Sequence, residues 1–328
     1  MGGGNGGSGR ALADDPAPKA SRWSDLSLRV ASALVLLPIA MSCVWWGGAA
    51  YVSFIAVCCL LLGYEYLGMC GASASDGAWY WFPAGLAAAA VLAGLGFTRF
   101  ALAFLAILTP LAWAFPIHAQ TADRREDSHP AMAGDRDSQR NPPRNGAAAV
   151  CIWDHKFNLA FGVPYLGLAA VALPWLRADR ETGFTNTLFV LSIVWGSDIG
   201  AYLLGRLVGG PRLAPAISPG KTWSGAVGGL LSAALAGLLV AACVSSGLSP
   251  SPGFAASHVI GPAIVLGIIS QAGDLLESAL KRHFGVKDSG RIIPGHGGLL
   301  DRIDALLAVA PAAALLAFTV GRGVVLWR

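Results

Sequence analysis

The segment Gln271–Asp304, QAGDLLESALKRHFGVKDSGRIIPGHGGLLDRID, starts inside one apolar run and ends at the start of another. It holds much of the charge in the C-terminal third of the chain. At helical spacing, Asp274, Glu277, Ser278, Lys281 and Arg282 fall at i, i+3, i+4, i+7 and i+8, on one face of one helix. Lys287, Asp288, Arg291 and the turn-forming run Pro294-Gly295-His296-Gly297-Gly298 follow. Asp301 and Asp304 then share a face at the head of the last apolar run. Carboxylates at the edge of hydrocarbon are costly. Asp274, Asp301 and Asp304, brought together by a helix-loop-helix, repel one another unless a cation sits between them. Hard divalent cations use a few carboxylates plus phosphate oxygens, and nearby Lys and Arg hold further phosphate charge. The segment therefore reads as a metal-assisted phosphate site at a membrane surface.

Composition agrees with that setting. Of 328 residues, 55% are hydrophobic and 13% charged, about half the charge of an ordinary soluble domain; the mean hydropathy is +0.57. The net charge of +4 and the lack of a basic surface with interleaved aromatics give no sign of a nucleic-acid partner. The cysteines, Cys43, Cys58, Cys59, Cys70, Cys151 and Cys243, have no metal-ligand spacing and read as small apolar residues without a disulfide framework. The expectation is an all-α polytopic integral membrane protein with about nine transmembrane helices and a cytoplasm-facing polar site between the last ones. Residues 1–24, rich in Gly, Pro and Asp, are expected to be a disordered tail, and 25–328 a single transmembrane catalytic domain with a polar cytoplasmic loop at 119–146.

The nine runs are about Val30–Trp46, Tyr51–Tyr66 with Glu65 at its end, Trp79–Phe97, Phe100–Ile117, Phe157–Leu176, Thr185–Leu204, Gly225–Val244, Val259–Leu280 and Leu300–Leu326. Arg29 is expected to snorkel from the first. The loops before the first run and after the fourth, sixth and eighth carry most of the Lys and Arg, among them Arg124, Arg144, Arg206, Lys221, Lys281 and Arg291. The opposite side has mainly Arg99, Arg177 and Arg180. The excess marks the first set as cytoplasmic. Gly205–Trp223 reads as a loop, and the Gly- and Ala-rich seventh run permits close helix contacts, including those of a homodimer.

A second polar constellation lies at Ser197–Gly229. Asp198 sits in an apolar run, as a functional acid or as a buried one bonded to a neighbour. Ser218-Pro219-Gly220-Lys221-Thr222 is not a P-loop, because Pro215 stands where G-x4-G-K-[ST] needs glycine. A Ser-Pro-Gly turn opening a helix could still offer backbone N–H groups and Lys221 to a phosphate.

Ser278–Asp304 resembles the signature of the phosphatidate cytidylyltransferases, or CDP-diacylglycerol synthases. The matching residues are Ser278-Ala-Leu-Lys281-Arg282, Lys287-Asp288-Ser289-Gly290, Ile293-Pro294-Gly295-His296-Gly297-Gly298 and Asp301-Arg302-Ile303-Asp304. Every specified position is met over these 27 residues. Ser197-Asp198-Ile-Gly-Ala-Tyr and Ser218-Pro219-Gly220-Lys221-Thr222-Trp223-Ser224-Gly225 are similar to two further elements of that family. In the second, Ser224 stands for the usual Glu and Gly220 for one of two lysines, so no role of that Glu carries over.

The resemblance implies transfer of a cytidylyl group from CTP to phosphatidate, giving CDP-diacylglycerol and pyrophosphate for phospholipid biosynthesis, in a bacterial cytoplasmic membrane with Mg²⁺ and room for a second cation. Asp274, Asp301 and Asp304 are then the expected metal ligands, with Ser278 and Lys281 beside them in the catalytic set. Lys221, Arg282, Lys287, His296 and Arg302 are expected at substrate phosphates, and Asp198, Glu277 and Asp288 in supporting places. His296 either bonds a phosphate or fixes its loop. Glu277 is either a ligand or the i+4 partner of Lys281. The alternatives are a CTP-dependent lipid-alcohol kinase and an ion-coupled transporter. A CDP-alcohol phosphotransferase is excluded, because Asp76-Gly77 is followed by Ala-Trp and the rest of its motif is absent.

Overall fold

The computed structural model describes residues 21–73, 75–114, 155–245, 256–321 and 324–327. The expected polar loop at 119–146 and residues 1–20 of the expected tail lie outside them, as does the side chain of Arg29. The described chain forms nine helices: α1 (Ser21–Trp46), α2 (Gly48–Met69), α3 (Ala78–Gly94), α4 (Thr98–Ala114), α5 (His155–Arg177), α6 (Gly183–Val208), α7 (Trp223–Ser245), α8 (Ala256–His283) and α9 (Leu300–Val320). The first begins inside the stretch expected as tail, at Ser21. Six of them, α2 and α5–α9, are long and apolar enough to cross a bilayer, which makes the chain an integral membrane protein. Helices α3 and α4 have 17 residues each, about 25 Å at roughly 1.5 Å per residue, against a hydrocarbon layer of about 30 Å.

Two departures from the expected elements matter. Gly205–Trp223 is not all loop. Helix α6 continues to Val208, and the antiparallel strands β1 (Arg212–Ala214) and β2 (Ser218–Thr222) form a hairpin that runs straight into α7. The Ser-Pro-Gly element is thus strand and not turn. Pro219 is tolerated because in a two-stranded sheet each strand is an edge. The last helix stops at Val320 instead of running to Leu326, at Gly321 with φ +111°, a left-handed value that suits glycine. Leu326 and Trp327 fold back and are buried: Trp327 packs on Phe189 with ring centroids 4.6 Å apart, and the Leu326 N–H donates to Asn186 Oδ1 at 3.0 Å.

Two hydrophobic cores hold the helices together, because each apolar stripe must be buried against another. One is built by α2–α5, with Tyr66 and Phe82 stacked at its centre. The other is built by α6–α8 and the C-terminal fold-back. Helix α9 belongs to both: Leu300, Leu307 and Ala310 enter the first, Ala305, Val309 and Ala313 the second. Its N-terminal turn therefore lies on the seam between the two halves.

Helices α6 and α7 pack more extensively than any other pair. Gly200, Gly205, Gly225 and Gly228 line their crossing, and a Cβ at Gly225 would lie 2.8 Å from the Ala201 carbonyl oxygen. Small residues of this kind let membrane helices approach closely, as the sequence of the seventh run implied.

Candidate active site

Helix α8 carries Asp274, Glu277 and Lys281 on one face, as their spacing requires. Gly273 lets that face meet α9: a Cβ there would lie 2.8 Å from Ala308 Cβ and 3.3 Å from the Asp304 carbonyl oxygen. The crossing brings Asp274, Glu277 and Asp304 together, with one ligand atom of each within 4.8 Å of the others, and this trio could hold a metal ion. Glu277 is 1% exposed. Neither of its carboxylate oxygens makes a hydrogen bond among the described residues, although the Lys281 ammonium lies 2.9 Å from Oε2. A buried, under-bonded carboxylate beside two others is the donor set a hard cation takes.

Lysines balance this charge. Lys221 Nζ, delivered by β2, lies 2.6 Å from Asp274 Oδ2. Lys281 Nζ bridges Glu277 and Asp301, 2.8 Å from Asp301 Oδ1. Asp198 of α6 is exposed and close enough to Asp274 and Lys221 to interact with both charges.

Asp301, expected with Asp274 and Asp304 at the metal, is outside the trio. Its Oδ1 faces Lys281, and its Oδ2 accepts the Ser289 N–H at 3.0 Å and the Gly298 N–H at 3.2 Å. It pins the loop between α8 and α9 to the head of α9. Glu277, read from the sequence as either a ligand or the i+4 partner of Lys281, takes the third corner and faces Lys281 as well.

The remaining expected residues divide in two. Ser278, one turn beyond Asp274, is half-buried; Arg282, Lys287 and Asp288 are exposed at the rim, with Arg282 Nε donating to the Ile217 carbonyl at 3.4 Å. His296 and Arg302 hold the Pro294–Gly298 turn. The Ile293 N–H donates to the Gly297 carbonyl at 2.9 Å, and Gly295 and Gly297 have φ of +75° and +86°. Arg302 donates through Nε and Nη2 to the His296 carbonyl at 3.0 and 2.5 Å. His296 Nδ1 lies 2.8 Å from Ser32 Oγ of α1.

Two residues escaped the sequence reading. Glu65 of α2 reaches the head of α9, accepting the Leu299 and Leu300 N–H groups at 2.8 Å each. Tyr165 of α5 is close enough to Glu277, Asp304 and Asp274 to feel their charge, and its buried hydroxyl has no hydrogen-bond partner among the described residues. The only signal for Glu65 was an acid inside an apolar run; a tyrosine in such a run gives none.

Residues 27–320 match the model of the cytidylyltransferase family. The chain belongs to that family. Among curated proteins of the family, a phosphatidate cytidylyltransferase of Brucella suis is 52% identical over 157 residues, 48% of this chain and 54% of the relative. One of Staphylococcus saprophyticus is 41% identical over 157 residues, 48% of this chain and 58% of the relative, and one of Staphylococcus aureus 38% over the same shares. The chain spans about half the length of the curated relatives it matches.

Proposed function

We propose that this family member transfers the cytidylyl group of CTP to phosphatidate, forming CDP-diacylglycerol and pyrophosphate, with the site facing the cytoplasm. The observation that carries the reading is the α8–α9 crossing, where three carboxylates and two lysines converge at the end of apolar helices. A phosphate oxygen of phosphatidate attacks the α-phosphorus of CTP. The new P–O bond forms as the bond from that phosphorus to the bridging oxygen breaks, and pyrophosphate leaves. A phosphate monoester with a second pKa of about 6 is already mostly dianionic at neutral pH, so no side chain has to remove a proton. The obstacle is the meeting of two anions.

A cation such as Mg²⁺ held by Asp274, Glu277 and Asp304 would supply Lewis-acid stabilisation of the triphosphate. The remaining work falls to the chain. Lys221 balances Asp274 in the free protein and is free to turn to a phosphate oxygen once Asp274 is otherwise engaged. Lys281 keeps Glu277 and Asp301 from repelling each other. Arg282 and Lys287 at the rim draw nucleotide to the site. Asp301, Arg302 and His296 keep the loop over α9 in one shape, so that little ordering is left for the moment of reaction.

The test is pyrophosphate release by purified protein in lipid-detergent micelles. The reading expects release only with CTP, phosphatidate and a divalent cation together. Release without phosphatidate, or none with all three from well-folded protein, contradicts it.

A further inference from the structure

The head of α9 has no cap of its own. Leu299 occupies the N-cap position and its own side chain bonds none of the first-turn N–H groups, although Ser, Thr, Asp or Asn is preferred there. The missing acceptor comes from Glu65, 234 residues before Leu299 and 4% exposed. Oε1 takes the Leu299 N–H and Oε2 the Leu300 N–H, and the Ser289 hydroxyl lies 3.5 Å from Oε2. Gly290 makes room for the carboxyl group, since a Cβ there would lie 2.7 Å from Oε1. One side chain of α2 thus touches the interior of the loop at Ser289 and Gly290, its last residue Leu299, and the first turn of the helix that carries Asp304. A solvent-exposed cap would serve helix stability alone. This one comes from a helix more than 200 residues away in the chain and fixes where α9 starts relative to α2.

We infer that Glu65 is a positioning residue for the carboxylate trio: it sets the axial and rotational place of α9, and through it the distance of Asp304 from Asp274 and Glu277. The inference rests on the metal-holding reading of that trio. Glu65 touches no substrate and is not assigned to the chemistry.

The experiment titrates detergent-purified full-length protein with Mn²⁺, following loss of the free-ion electron paramagnetic resonance signal. Wild type, Glu65→Gln and Tyr66→Phe are compared, each with its thermal melt. Glu65→Gln keeps the volume but turns an amide NH₂ towards one of two backbone donors. Tyr66→Phe removes the neighbouring buried bond to the Asn158 carbonyl, 2.7 Å long, and leaves α9 alone. Glu65→Gln is expected to weaken Mn²⁺ binding on the order of tenfold and to raise the Mg²⁺ needed for half-maximal pyrophosphate release by a similar factor. Tyr66→Phe is expected to lower the melting temperature with Mn²⁺ affinity unchanged. Unchanged affinity in Glu65→Gln, or equal weakening in Tyr66→Phe, overturns the inference. If Glu65→Gln does not fold, Glu65→Asp, one methylene too short to reach both N–H groups, is titrated with the same expectations. Wild type that binds Mn²⁺ yet releases no pyrophosphate removes the proposed reaction and leaves the role of Glu65 standing.

Discussion

Lys221 Nζ lies 2.6 Å from Asp274 Oδ2, so a strand of the β1–β2 hairpin places an ammonium where a metal ion would compete for the same carboxylate. Removing it has two opposed effects. Lys221→Met lowers the Mg²⁺ concentration for half-maximal activity, because a competing cation is gone. It also lowers kcat on the order of 10²-fold, because a donor to developing phosphate charge is lost. Mg²⁺ titrations of initial rate separate the two; a fall in kcat with a raised Mg²⁺ requirement contradicts this assignment.

Lys281 has one charge and two acidic neighbours. Lys281→Met leaves the 1%-exposed Glu277 beside Asp301 without a counter-ion. Breaking a buried pair from one side costs about 3–5 kcal/mol, read as a lower melting temperature in detergent. Lys281→Met/Glu277→Gln recovers most of that loss but not activity, since Glu277 is a corner of the trio.

Asp301 and Asp304 are three residues apart and do different things. Asp304→Asn removes a trio member, so activity falls and the Mg²⁺ requirement rises steeply. Asp301→Asn loosens the loop bonds to Ser289 and Gly298. It lowers kcat and the melting temperature at a nearly unchanged Mg²⁺ requirement. Rates measured across a Mg²⁺ series distinguish them, and an Asp301→Asn protein with full activity removes Asp301 from the site altogether.

The helices, and most of the side chains that meet at the α8–α9 crossing, were legible in the sequence for a physical reason. Long apolar runs make the nine helices visible, and the two acids Asp274 and Glu277 with Lys281, at i, i+3 and i+7 on α8, can only share a face. What it hid depends on partners distant in the chain. Glu65 gains its meaning from Leu299 and Leu300. Asp301 leaves the trio because the Ser289 and Gly298 N–H groups and Lys281 engage both of its oxygens, and Glu277 enters it because α8 turns that side chain inward at the α9 crossing. The hairpin was missed because Pro219 and Gly220 disfavour strands, a preference that two short edge strands override. The ninth run was read too long because Val324, Val325 and Leu326 are apolar in either a helix or a fold-back.

Gly273 is where the two site helices touch. Gly273→Ala puts a methyl group 2.8 Å from Ala308 Cβ, and overpacking of that kind costs about 1–3 kcal/mol. The helices separate at the level of Asp304, so Mn²⁺ affinity falls together with activity. Gly261→Ala, on the same helix with nothing within 4 Å of its Cβ, changes neither, which a parallel titration checks.

The central claim concerns which phosphorus of the nucleotide moves. Purified protein in micelles with phosphatidate and Mg²⁺ is given CTP radiolabelled at the α-phosphate in one sample and at the γ-phosphate in another, and the lipid is extracted. The account predicts α label in the lipid and γ label in water-soluble pyrophosphate. The γ label in the lipid, or α label that stays in water, contradicts it.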